Sequence, residues 1–185
     1  SSVKGNTISV SGDEAHHIVD VMRLKVSDSV VTFDGTGKEY VGVITKADKR
    51  SLTIEVKSVR ESRQKSGPSV TVIQAIPKRE KIEYFIEKAT ELGVSCIIPV
   101  TTARTIPDWS DEKKISHVER WRKLAREASK QCGRLDVPEI SKIAEFRDLL
   151  AGMTKEGLRL IAALDDRAIP LKTALLNFKG GPARM

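Results

Sequence analysis

The feature that most constrains this chain is a pair of apolar runs separated by one helical stretch. Residues 70–76, "VTVIQAI", form a nearly continuous apolar run, as expected of a strand covered on both faces. Ile82, Phe85, Ile86 and Ala89 then recur at helical spacing, and Gly93 supplies a natural helix end. Residues 94–100, "VSCIIPV", follow as a second buried strand. Strand, helix and strand at these lengths make a right-handed βαβ crossover, which commits this part of the chain to an α/β domain with a mostly parallel sheet.

The remaining segments extend the pattern. A helix is predicted from near Asp111 to Cys132, with Val118, Trp121, Ala125, Ala128 and Cys132 along one face. A short helix near residues 144–151, a strand at 158–164 and a last helix near 170–177 complete the alternation. The first 60 residues have a different rhythm. Residues 30–33 and 39–44 flank "DGTGK", whose glycines suit a tight hairpin, and residues 52–59 alternate at period two. A short helix opening at Asp13 precedes them. A small β-barrel with one helix fits residues 1–66, and the α/β domain takes 67–185. The polar stretch 60–68, ending in Gly67 and Pro68, reads as the linker between them.

Composition narrows the function classes. The longest apolar runs fall far short of the roughly 18 to 20 residues that span a bilayer, so no membrane partner is expected and the cytoplasm is the simplest location. Cys96 and Cys132 lack the neighbours of a metal site, and His16 and His17 diverge on a helix, so no metal is expected. There is no GxGxxG, Walker loop, GxSxG or HExxH. The 32 basic and 25 acidic residues leave a net charge of +7, which favours a polyanionic partner. Residues 111–134 hold eight basic and four acidic residues, so four of the seven net charges sit there.

Three clusters carry chemistry. Lys123, Arg126, Lys130 and Arg134 lie at three- or four-residue spacing on a face of the long helix distinct from its apolar one. They are either an ordinary solvated face or an RNA-phosphate surface. Lys78, Arg79 and Lys81 sit where a strand ends and a helix begins, a position at which α/β proteins place ligands and helix N-termini attract anions. In "QCGR", residues 131–134, Gln131 offers an amide that can read a base edge, and Arg134 a fork for phosphate or carboxylate.

These residues also carry a resemblance. "PKREKIEYFIEKATELGV" at 77–94, "IPVTTAR" at 98–104 and "AREASKQCGRLDVPEI" at 125–140 together resemble the RsmE family. Its members are bacterial methyltransferases that modify N3 of a uridine in small-subunit ribosomal RNA. "HHIVDVMRLKVSD" at 16–28, with "FDGTGKEY" at 33–40, is similar to the family's PUA-like RNA-binding barrel. The resemblance implies a SPOUT-type α/β domain with a C-terminal knot that binds S-adenosylmethionine, in a homodimer that acts on small-subunit ribosomal RNA or the assembled small subunit. Arg23, Lys25, Arg79, Lys81 and Arg104 become RNA contacts by this match. Gln131 and Arg134 become the catalytic candidates, holding the RNA or the target uridine. The family's Gly-Pro-Glu-Gly-Gly-like loop has no counterpart among the 185 residues, so the knot is expected to be incomplete, with only the first half of the cofactor pocket near Leu164 and Asp165. The alternative is a non-catalytic RNA-binding module.

Overall fold

A computed structural model describes residues 2–35, 37–48, 50–61, 68–77, 81–105, 109–153 and 157–178. They divide into two compact units, Ser1–Phe146 and Arg147–Met185.

The first unit begins with five antiparallel strands: β1 (Ser2–Lys4), β2 (Thr7–Ser11), β3 (Ser29–Phe33), β4 (Lys38–Asp48) and β5 (Ser51–Glu61). Their order is β1-β2-β5-β4-β3, so the first and last strands remain edges rather than closing the sheet on itself. Period-two alternation sends Leu52, Ile54 and Val56 of β5 to one face, where Ile54 and Leu52 pair with Ile8 and Val10 of β2. Gly42 is required beneath this layer. A Cβ there would fall 2.5 Å from Ile54 Cγ2 and 2.6 Å from the Glu55 carbonyl oxygen. The helix α1 (Asp13–His16) passes directly into a π-helical turn, His17–Val21, and buries Ala15 and Ile18 against the sheet. The predicted linker overlaps β5, which runs to Glu61, while residues 62–67 lie outside the described residues.

The βαβ unit forms as expected. β6 (Thr71–Ala75) and β7 (Cys96–Thr101) pair in parallel across α2 (Lys81–Glu91). After α3 (Asp111–Cys132), the two-residue strands β8 (Glu139–Ile140) and β9 (Ala144–Glu145) both add to β7 in parallel. The core between helices and sheet is Ile76, Ile82, Ile86, Ala89, Val94, Ile97, Val118, Trp121, Ala125 and Ile140. α3 starts where the Ser110 side chain accepts the Lys113 N–H and Asp111 and Glu112 meet the helix dipole. It stops at Gly133, whose φ of 73° only glycine adopts at low cost. There the Arg134 N–H reaches back to the Ser129 carbonyl and the Gly133 N–H to that of Lys130, closing a Schellman turn.

The second unit contains α4 from Arg147 onward, within Phe146–Gly152, and α5 (Leu171–Asn177). The strand predicted at 158–164 does not form. That stretch carries no ladder partner among the described residues, and Ile161 is 81% exposed. An apolar run becomes a strand only where a neighbour takes its N–H and C=O groups.

Candidate nucleic-acid interface

The basic stripe divides by what each cation touches. Arg120 donates to Glu83 at 2.9 Å, and the Arg122 guanidinium donates twice to the Ile140 carbonyl, at 3.1 and 3.0 Å. These two bind α3 to α2 and to β8. Lys130 lies 2.9 Å from Glu14 of α1 and 3.7 Å from Glu127. Lys123 and Arg126, in contrast, are exposed and have no ion pair among the described residues. They are the part of the stripe open to a phosphate.

Arg134 sits one residue beyond the Schellman glycine, with its side chain only 11% exposed. One guanidinium nitrogen donates to the Thr90 carbonyl at 2.5 Å; the other donates to the Val94 carbonyl at 3.1 Å and to Asp136 at 2.8 Å. Thr90 and Val94 flank the end of α2, so Arg134 caps that helix with a cation, as its dipole favours. The sequence signalled a bidentate donor here. Its acceptors are main-chain carbonyls and a neighbouring carboxylate. Gln131, three residues earlier, is exposed at the same turn.

A second polar group lies at the carboxyl edge of the parallel sheet, where β7 ends at Thr101 and β9 at Glu145. Thr101 Oγ1 donates to Glu145 Oε1 at 2.5 Å. Just beyond, the Thr102 N–H donates to Thr105 Oγ1 at 2.9 Å, and the two threonine hydroxyls are 3.1 Å apart. This turn presents Arg104, which is exposed, while Lys81 is exposed at the opening of α2. Lys78 and Arg79 lie outside the described residues. Thr101 and Glu145 did not stand out in the sequence, because register across strands more than forty residues apart brings them together.

On the sheet of the first strands, Arg23 and Lys25 are exposed just past the π-helical turn. Arg23 has φ 58° and Ser27 φ 79°, left-handed conformations that cost a side-chain-bearing residue about 1 kcal/mol or more. The Lys25 N–H donates to Asp28 at 2.7 Å and holds this bend. His16 lies 2.6 Å from Asp20, and the described residues hold no cluster of metal-binding side chains.

The two residues expected to face the cofactor both lie in the second unit. Leu164 is fully exposed, and Asp165 accepts from the Arg167 N–H at 2.8 Å and from its guanidinium at 3.0 and 2.8 Å. These bonds hold the Asp165 carboxyl below the usual carboxylate range.

An open antiparallel sheet with a basic bend, followed by a parallel α/β sheet with a basic helix, defines a two-sheet α/β protein with cations open to a polyanion. The chain belongs to the RNA methyltransferase domain family, whose model matches residues 64–181, and an RNA methyltransferase PUA domain matches residues 10–57. Among its relatives is ribosomal RNA small subunit methyltransferase E of Bacillus subtilis (strain 168), 33% identical over 147 residues, covering 80% of this chain and 57% of the relative. The protein of that name from Mycobacterium tuberculosis is 32% identical, covering 80% and 56%. The crystal structure of ribosomal RNA small subunit methyltransferase E from Neisseria gonorrhoeae bound to S-adenosyl methionine superposes with a TM-score of 0.83 at 27% identity. It covers 93% of this chain and 71% of that one. The chain thus spans a little over half the length of the curated relatives it matches.

Proposed function

We propose that this chain is the RNA-facing portion of a methyltransferase that places a methyl group on N3 of a uridine in small-subunit ribosomal RNA, with S-adenosylmethionine as donor. The observation that carries this reading is the agreement between relatives named for small-subunit ribosomal RNA methylation and two separated sets of open cations. Arg23 and Lys25 form one set, and Lys123 and Arg126 the other. Lys81 and Arg104 add charge at the sheet's carboxyl edge. Domain limits of 1–66 and 67–185, a homodimer and a cytoplasmic location complete the proposal. No helix among the described residues is long and apolar enough to cross a membrane.

Transfer to N3 requires that nitrogen to lose its proton, and the resulting charge must be stabilised. Gln131, exposed at the end of α3, is positioned to hydrogen-bond an unpaired uracil edge, the kind of base that sequence-specific RNA recognition reads. Arg134 supports it by fixing the turn. S-adenosylmethionine supplies an electrophilic methyl when bound, and Leu164 and Asp165 are the residues of this chain offered to it. The second reading is an RNA-binding module without catalysis.

Transfer of labelled methyl to unmodified small subunits, followed by nucleoside analysis, tests the first reading; label in 3-methyluridine is the expected result. Label in another nucleoside would overturn it, and RNA binding without label would leave the module. Both readings predict that Lys123→Glu with Arg126→Glu weakens RNA binding and lowers the slope of log affinity against log salt by about 2, roughly one unit for each phosphate contact. An unchanged slope would remove α3 from the interface.

A further inference from the structure

The tip of the β3–β4 hairpin reaches across to the loop that follows α3. The Gly37 N–H donates to the Leu135 carbonyl at 3.1 Å, and the Val137 N–H donates to the Gly35 carbonyl at 3.2 Å. Gly35 and Asp136 thereby form a parallel bridge between the two sheet regions. Each side of the bridge is held by contacts of its own sheet region. Asp34 accepts from the Lys38 N–H at 3.3 Å and from the Tyr40 hydroxyl at 3.2 Å, fixing the hairpin. On the opposite side Arg134 ties Asp136 to the carbonyls that end α2. A second tether runs from Lys130 of the basic stripe to Glu14 of α1 at 2.9 Å. Gly35 has φ +79°, which favours glycine, and a Cβ there would meet Val137 Cγ2 at 3.3 Å, so Val137 would have to give by a few tenths of an ångström.

We infer that the hairpin tip at Gly35 and Gly37, the loop at 135–137 and the Glu14–Lys130 pair form a clasp. It fixes the Arg23 and Lys25 surface relative to Lys123 and Arg126, so that one RNA is gripped by both. Gly35 and Glu14 are positioning residues in this arrangement. It rests on the RNA-binding reading above and adds how its two halves cooperate. Two weak phosphate surfaces in fixed register act as one strong site, because the second contact forms at high effective concentration. The same surfaces on a loose tether lose that advantage. The tight turn that ends α3 at Gly133 then delivers the loop at 135–137 to the hairpin tip.

The test combines amide exchange with binding to RNAs of two lengths. In the folded chain the Gly37 and Val137 amides should be protected, and Gly35→Val should speed both while β7 amides keep their protection. Its affinity for long small-subunit ribosomal RNA should fall about tenfold or more, with affinity for a short single-stranded oligonucleotide held within about twofold. Should Gly35→Val not fold, Glu14→Gln gives the sharper contrast. It makes the chain more positive, so simple electrostatics predicts tighter binding, whereas loss of the clasp predicts weaker binding to the long RNA. Open-loop exchange at Gly37 and Val137 in the folded wild type would overturn the clasp. So would Glu14→Gln tightening long and short RNA alike. A wild type that binds neither RNA while both amides stay protected would overturn the RNA reading and leave the clasp in place.

Discussion

Arg134→Ala should lower the unfolding free energy by about 3 to 5 kcal/mol, the range for removing one partner from a buried, hydrogen-bonded charge. The loss has three parts. The Thr90 and Val94 carbonyls lose their donor, α2 loses its cationic cap, and Asp136 keeps a carboxylate without its guanidinium. Arg134→Lys should recover less than half, because an ammonium cannot span two carbonyls and a carboxylate at once. Urea denaturation followed by circular dichroism measures both. An alanine variant of unchanged stability that lost RNA affinity would mean that the guanidinium serves the ligand and that these contacts contribute little.

Trp121→Ala carries a comparable expectation, about 3 to 5 kcal/mol for emptying the largest site in the core. The indole is 1% exposed and lies 6.3 Å from Trp109 and 5.7 Å from His117, ring centre to ring centre, while Trp109 and His117 stack at 4.0 Å. Its Nε1 has no hydrogen-bond partner among the described residues. A buried donor left unsatisfied costs about 1 to 3 kcal/mol, so Trp121→Phe removes volume and that cost together. The phenylalanine variant should therefore lie well nearer to wild type than to alanine in thermal unfolding. Equal losses for both would show that the indole N–H is satisfied in solution.

Local patterns in the sequence were strong enough to define the βαβ unit. Apolar runs at 70–76 and 94–100 and the helical spacing of Ile82, Ile86 and Ala89 each follow from burial alone, and α3 was legible from the apolar face of Val118, Trp121, Ala125 and Ala128. The π-helical turn at His17–Val21 left no comparable mark, since its residues also suit an α-helix. Residues 158–164 misled for the opposite reason. Their apolarity was real, but pairing depends on a neighbour that no local pattern specifies. At the site, residue type was readable and partnership was not. Lys123 and Lys130 look alike on the helix face, yet only the fold brings Glu14 to Lys130. Arg134 was legible as a forked donor, whereas its carbonyl acceptors lie some forty residues away and are common to every sequence.

The bridge between Gly35 and Asp136 also orders events in time. The β3–β4 and β4–β5 hairpins and the β6–α2–β7 unit rest on contacts of short sequence separation, which form early. The bridge closes a far longer loop and brings two main-chain bonds among the described residues, so it gains nothing until both partners are shaped. Disrupting it should leave the refolding rate nearly untouched and appear almost entirely as faster opening of the native protein. During synthesis, Gly35 emerges long before Asp136, and the amino-terminal sheet has time to fold before the joint that orients it can be made.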